Sequence, residues 1–209
     1  MHRTANIAVL VSGGGTNLQA LIDAQNNGIL KSGRIVLVIS NKPDAYALTR
    51  AKNNGIPCAV VTRKEYGSRE KAEEKMISLL EENRIDLIIL AGFMSILSEN
   101  FTRRFDHRII NVHPALIPSF CGEGFYGLKV HEAALKKGVK VTGATVHFVN
   151  EIPDGGEIIM QKAVEVCEGD TPEILQERVM RNAEWIILPL SAEKVSAQII
   201  EREENNEHL

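Results

Sequence analysis

A chain of 209 residues, 44% apolar and 24% charged, is long enough to bury one sizeable core and ordinary in composition for a globular protein. Its formal net charge of −3 gives nucleic-acid binding no electrostatic support. Three isolated cysteines, Cys58, Cys121 and Cys167, argue against a disulfide framework or a zinc site and fit a reducing cytoplasm, and no apolar run is long enough for a signal peptide or a membrane span.

Ala5–Val11 predicts a first strand that passes at once into Ser12-Gly13-Gly14-Gly15-Thr16-Asn17. Leu18, Leu21 and Ile22 then recur at helical spacing, and Asn26-Asn27-Gly28 closes the helix. Glycines before a helix N-terminus let backbone N–H groups approach an anion, and a phosphate monoester is the natural ligand. The turn lacks the Gly-Lys-Ser/Thr of a P-loop, and Leu18 stands where a dinucleotide fingerprint needs its third glycine. A tight turn without a ligand explains it equally well.

The next strand, Ile35–Ser40, carries five consecutive aliphatics, the pattern of a strand buried on both faces in a parallel sheet. A helix over 45–53, a short strand over 56–61 and a helix from Ser68 to about Glu82 follow. Arg69, in the first turn of that helix, is either a solvated cation or an auxiliary phosphate contact. The strand Ile85–Leu90 leads into the apolar loop Ala91–Leu97, which either packs or lines a pocket. Ser98 caps a short helix, and Ile109–His113 forms the fifth strand. This alternation predicts an α/β fold, a doubly wound, mostly parallel twisted sheet with helices on both faces.

On the fifth strand Asn111 and His113 are two apart, so they share a face at the C-terminal end, where open α/β sheets bind ligands. An amide that stabilises a developing negative oxygen would stand beside an imidazole that moves protons near neutral pH. A loop rich in glycine and aromatic residues, 115–127, follows; its Cys121 has no cationic neighbour in sequence and is expected to be inert. Lys129–Lys137 predicts a helix on which His131 is solvated. Val141–Val149 alternates as a strand, with Thr145, His147 and Val149 on one face, and pairs with Glu157–Val166 as a C-terminal antiparallel strand pair. The intervening Asn150–Gly156 is either a plain turn or the segment that holds Asp154 over the strand end carrying His113. Thr171-Pro172-Glu173 starts a helix that Pro189 is expected to interrupt near Leu188. A second helix runs to about Arg202, and the polar tail 203–209 is expected to fray.

Ser12–Asn17, Ala91-Gly92-Phe93-Met94, Asn111-Val112-His113-Pro114, Thr145-Val146-His147-Phe148 and Asp154-Gly155-Gly156 together resemble one family over about residues 6–190. It is the folate-dependent glycinamide ribonucleotide transformylase family, also called phosphoribosylglycinamide formyltransferase. The resemblance implies a Rossmann-like single domain over 1–209, with a phosphate-binding half, 1–110, and a catalytic and folate-binding half, 111–209. It implies formyl transfer from 10-formyltetrahydrofolate to the amine of glycinamide ribonucleotide in purine biosynthesis, with no metal, in the cytoplasm, by a monomer or homodimer. Asn111, His113 and Asp154 match its catalytic trio. Gly13, Gly14, Gly15, Thr16 and Asn17 match its phosphate loop, and Glu184 its ribose contact. Phe93, Met94, Ser95, Ile96, Leu97, Asn111, Asn150, Glu151 and Asp154 match the folate-binding segments. His147 and Thr145 would support them from behind, though a half-buried strand histidine explains His147 equally well. An Asp154 carboxylate near His113 is expected to raise the imidazole pKa.

Two positions depart from the family pattern. Ser95 stands where the family often has Arg, and the stretch from Ser119 to Leu128 is longer than in many relatives; it would cover the substrate or join an oligomer contact. Formyltetrahydrofolate hydrolase and methionyl-tRNA formyltransferase share the core but add an N-terminal or a C-terminal domain, which this chain is expected to lack. A nucleotide-binding module without chemistry is the remaining alternative, and a dehydrogenase the weakest.

Overall fold

The structure, a computed structural model, describes residues 3–207. In chain order its elements are β1 (Ala5–Val11), α1 (Thr16–Asn26), β2 (Gly33–Ser40), α2 (Tyr46–Asn53), β3 (Cys58–Val60), α3 (Arg63–Tyr66), α4 (Arg69–Glu82) and β4 (Leu87–Leu90). They continue with α5 (Glu99–Arg104), β5 (Ile109–His113), α6 (Leu128–Lys137), β6 (Val141–Phe148), β7 (Ile158–Glu165), α7 (Pro172–Val179), a π turn (Met180–Glu184) and α8 (Trp185–Glu207). One seven-stranded sheet runs in the order β3-β2-β1-β4-β5-β6-β7. The first five strands are parallel, and β6 and β7 are antiparallel to their neighbours, as the sequence predicted.

Alternation along β1 shows why its aliphatics are consecutive. Ile7, Val9 and Val11 face Leu18, Leu21 and Ile22 of α1 and Ile187, Leu188 and Ala192 of α8. Ala8 and Leu10 face the opposite way, toward Met76 and Leu80 of α4 and Phe101 of α5. Over 7–11, where the strand is covered on both faces, every side chain is apolar and buried. β5 follows the same rule until its end. Ile110 and Val112 join the α1/α8 core and Ile109 the α4/α5 core, so Asn111 and His113 emerge on the α4/α5 side.

The caps chosen from sequence are in place: Ser68, Ser98 and Thr171 each accept a backbone N–H three residues on. The one-turn helix α3, capped by Thr62, was not anticipated. The C-terminal helices depart from expectation in two ways. The interruption lies at the π turn Met180–Glu184, and α8 continues through Pro189. Pro189 has no N–H for the carbonyl four residues back, so it removes one bond from the helix without ending it. The helix also extends to Glu207, not Arg202. The segment expected to fray is tied back, because Arg3 bridges Glu203 and Asp86. Residues 208–209 of that tail lie outside the described residues.

Candidate active site

The end of β5 gathers the three residues singled out from sequence. β6 runs antiparallel beside it, with His147 opposite Asn111 and Thr145 opposite His113. His113 Nδ1 lies 3.5 Å from Asp154 Oδ2, and His147 Nε2 lies 3.5 Å from Asp154 Oδ1. Asn111 Nδ2 lies 3.2 Å from His147 Nε2. The turn between β6 and β7 therefore does hold Asp154 over the strand end. It does so with Asp154 in the left-handed region at φ 56°, a conformation a residue with a Cβ adopts only when its surroundings enforce it. Gly156 makes the return possible, since a Cβ there would fall 1.8 Å from the Phe148 carbonyl oxygen.

Fixed carbonyl partners set the ring protons. His113 Nε2 is 2.8 Å from the Phe120 carbonyl, which can only accept, so Nε2 carries a proton and Nδ1 faces the carboxylate. His147 Nδ1 is 2.7 Å from the Phe148 carbonyl, which can only accept, so Nδ1 carries a proton and Nε2 is turned toward the Asn111 amide and Asp154. His147 thus orients Asn111. The Gly122 N–H donates to Asp154 Oδ2 at 2.8 Å. The loop after β5 therefore touches both members of the imidazole–carboxylate pair, with Phe120 itself at φ 49°.

Burial dominates the titration of His113 and lowers its pKa below the ordinary 6.5. Asp154 and the Phe120 carbonyl push it up without prevailing, and His147 adds to the lowering. The expectation that Asp154 would favour the charged ring is corrected: its pull is present, but in a side chain only 5% exposed desolvation outweighs it. The resting imidazole is neutral at pH 7. Burial pushes the Asp154 carboxyl up, but His147, His113 and the Gly122 N–H together hold it below the usual value, so it is ionised. Burial and the Asp154 charge both raise the Cys121 thiol, consistent with an inert cysteine. His131, expected in solvent, is fully buried with neither ring nitrogen partnered. Burial and the nearby His113 press its pKa down to about 4. Helical spacing alone did not separate an inward face of α6 from an outward one.

The glycine turn has the form of an anion cradle. The Gly13 carbonyl accepts from the Ala47 N–H at 3.0 Å and the Gly14 carbonyl from Arg50 Nε at 2.8 Å. In a trans peptide the following N–H points the opposite way, so those of Gly14 and Gly15 face away from α2. Added Cβ atoms at Gly13 or Gly14 would meet nothing within 4 Å, whereas one at Gly15, at φ 72°, would fall 2.6 Å from Ala47 Cβ. Packing demands glycine only at Gly15; the other two border open space. α1 has no side-chain cap and no acidic residue in its first turn, which leaves its N-terminal donors for a ligand. Beneath it Asn17 Nδ2 donates to Glu184 Oε2 at 2.7 Å, and burial pushes Glu184 up to about 6. Asn17 Oδ1 is buried without a partner. Thr16 Oγ1 contacts Met180 Sδ at 3.9 Å, so the π turn that carries Glu184 docks on the start of α1.

At the same strand end, Phe93, Ser95, Ile96 and Leu97 face Asn111, His147 and Asn150–Asp154 across a cavity of about 130 Å³. The apolar loop therefore lines a pocket. Met94 does not line it, but its N–H donates to Ser12 Oγ at 2.8 Å, linking this loop to the glycine turn. Asn41 Nδ2 donates to Ser95 Oγ at 2.8 Å, so the serine that departs from the family pattern is held by a neighbouring strand end. Arg69 pairs with the buried Glu73 at 3.1 Å, and Glu73 also accepts from the Ser98 N–H and hydroxyl. Sequence reasoning missed Asn41, Glu73 and the backbone groups of Phe120 and Gly122, and it gave Ser12, counted with the glycine turn, no role of its own. The polar residue at the end of each buried strand, Ser12 and Asn41, was the available signal.

An imidazole, a carboxylate and an amide donor at the C-terminal end of a doubly wound sheet have the make-up of an α/β enzyme's active site. The formyl transferase family model matches residues 5–190, and the chain belongs to that family. It is 44% identical to the phosphoribosylglycinamide formyltransferase of Haemophilus influenzae over 184 residues, 88% of this chain and 84% of that one. Over 203 residues it is also 44% identical to the human trifunctional purine biosynthetic protein adenosine-3, covering 97% of this chain but 19% of that protein. The chain thus spans about a fifth of the length of its trifunctional relatives from chicken, human and cattle. The crystal structure of glycinamide ribonucleotide transformylase 1 from Symbiobacterium toebii superposes with a TM-score of 0.87 at 39% identity, covering 93% of this chain and 89% of that one.

Proposed function

We propose that this chain transfers the formyl group of 10-formyltetrahydrofolate to the primary amine of glycinamide ribonucleotide, a step of purine biosynthesis. The observation that carries this reading is the meeting of Asn111, His113 and Asp154 at a strand end beside a cavity walled by the apolar 91–97 loop, which is itself tied to the glycine turn. A phosphate on the Gly13–Asn17 turn, with Glu184 at the ribose, directs the amine toward β5. A cavity of about 130 Å³ takes a ring of the folate and not the whole molecule. The remainder lies along the exposed apolar side chains of Met94, Ile96 and Ile152. Phe93, Ser95, Leu97, Asn150 and Glu151 complete the folate contacts.

Asn111, fixed by His147, donates to the oxygen that becomes negative as the amine attacks the formyl carbon. One preorganised donor of this kind contributes about 3–4 kcal/mol. Neutral His113 takes the proton the attacking amine loses. The resulting imidazolium is stabilised by Asp154 and by the nearby oxyanion, and it returns the proton to the leaving folate nitrogen. Asp154 stays ionised throughout, and Thr145 supports the loop behind the ring. Both ligands are small molecules, the net charge of −3 offers nucleic acid no attraction, and the free cysteines suit the cytoplasm.

Purified protein mixed with a 10-formyl folate and glycinamide ribonucleotide should release deformylated folate only when the ribonucleotide is present. His113→Ala should lower kcat by about 10²–10⁴-fold. Deformylation without the amine would instead establish a hydrolase.

A further inference from the structure

The residues that fix His113 and Asp154 through Phe120 and Gly122 must themselves be fixed, and the hydrogen bonds at the start of that loop identify how. Thr145, fully buried on β6, donates through Oγ1 to the Ala115 carbonyl at 2.7 Å and accepts from the Ile117 N–H at 3.1 Å. Gln161 on β7 stands directly opposite Thr145 in the strand register. Its Nε2 donates to the Ile117 carbonyl at 3.0 Å and to Thr145 Oγ1 at 3.0 Å.

The donor inventory closes. A threonine hydroxyl has one proton and two lone pairs, and Ala115, Ile117 and Gln161 use all three. A glutamine amide has two N–H groups, and both are used. Ile117 has its N–H and its carbonyl held from the same side. Three residues further on, Phe120 adopts the left-handed conformation and turns its carbonyl to His113 Nε2. Such a conformation persists only where neighbours over-determine it.

We propose that Gln161 is a positioning residue for His113, acting through Thr145 and Ile117 to hold the loop in the conformation that presents the Phe120 carbonyl to the imidazole. This rests on the formyl-transfer reading for its kinetic consequence but not for its geometry. Gln161 is solvent-exposed on the edge strand of the sheet, so its replacement leaves the core intact.

Gln161→Glu keeps the shape and removes both donors. Relative to wild type it should lower kcat about tenfold to a hundredfold, as expected for a misplaced catalytic group. KM for both substrates should stay within about twofold, because the phosphate cradle and the folate cavity do not contain Gln161. Thr145→Val should act alike and Thr145→Ser should retain activity. The independent readout is the imidazole NMR spectrum of His113. Wild type should show a protected Nε2 proton, and Gln161→Glu should show that proton exchanging freely. If Gln161→Glu does not fold, Gln161→Met, which introduces no charge, is read by the same two criteria. An unchanged His113 Nε2 signal, or a loss carried by KM alone, overturns the proposal. If wild-type protein shows no formyl transfer, the functional reading fails, while the NMR result still decides the positioning role.

Discussion

At the scale of single residues the site is governed by competition between burial and charge around one imidazole. Desolvation holds His113 neutral, and Asp154 opposes it without winning. A neutral ring acting as base predicts a kcat/KM that rises with pH through the His113 pKa and then levels, with the limb below 6.5. Asp154→Asn removes a contribution that raises that pKa. The limb should therefore move to still lower pH, and the plateau should fall because the imidazolium formed during the reaction loses its partner. A pH–rate profile of the two proteins checks both; an unmoved limb would show that the pair is not coupled. Asn111, His113 and His147 were legible in sequence because strand alternation fixes which side chains share a face, whereas Asp154, in a turn, was one of two readings until the family resemblance singled it out. The sign of the His113 shift was not, because burial depends on the loop that closes over the ring.

At the scale of elements, the β1–α1 turn separates two reasons for glycine. Gly15 is required by its backbone conformation and by Ala47 at 2.6 Å from the position of a Cβ. Gly15→Ala should cost about 1–3 kcal/mol of stability in urea denaturation, the range for enforced left-handed backbone. Gly13 borders open space, so Gly13→Ala should alter stability by no more than about 0.5 kcal/mol. It should nonetheless raise KM for the ribonucleotide, because the added methyl occupies the cradle. Equal destabilisation by both variants would mean that the turn is only a turn. The π turn at Met180–Glu184 is the other element with a local purpose: it docks Glu184 against Asn17. Sequence pointed to Pro189 as the breaking point, but helix geometry is settled by what the helix packs against, and α8 packs along α1 and the sheet on both sides of the proline.

At the scale of the whole molecule, buried titratable groups set the response to acid. His131 has a folded pKa of about 4 against an ordinary 6.5. Below pH 6.5 the unfolded chain binds a proton that the folded chain refuses, so stability falls as pH drops from 6.5 toward 4. The contribution at pH 5 is about 2 kcal/mol. Glu184, raised to about 6, works in the opposite sense: the folded state holds the proton more tightly, which favours folding as pH falls from 6 toward 4.5. His131→Leu isolates the first effect. Denaturation from pH 7 to pH 4.5 should show a smaller loss of stability in the variant than in wild type. Parallel curves would mean that His131 is protonated or water-bonded in the folded state.

The sequence by itself determined the alternation of strands and helices, the two-faced burial of the parallel strands, the helix caps and the residue types gathered at the end of β5. These follow from periodicities of two and 3.6 residues and from local backbone chemistry, which act over a few positions. Only the tertiary structure decided that the loop after β5 fastens on His113 and Asp154, that Ser12 and Asn41 tie the 91–97 loop to neighbouring strand ends, that Glu184 sits beneath α1, and that His131 is dry. Each of these depends on elements packed together, and their energies follow burial and distance, which exist only once the sheet has assembled.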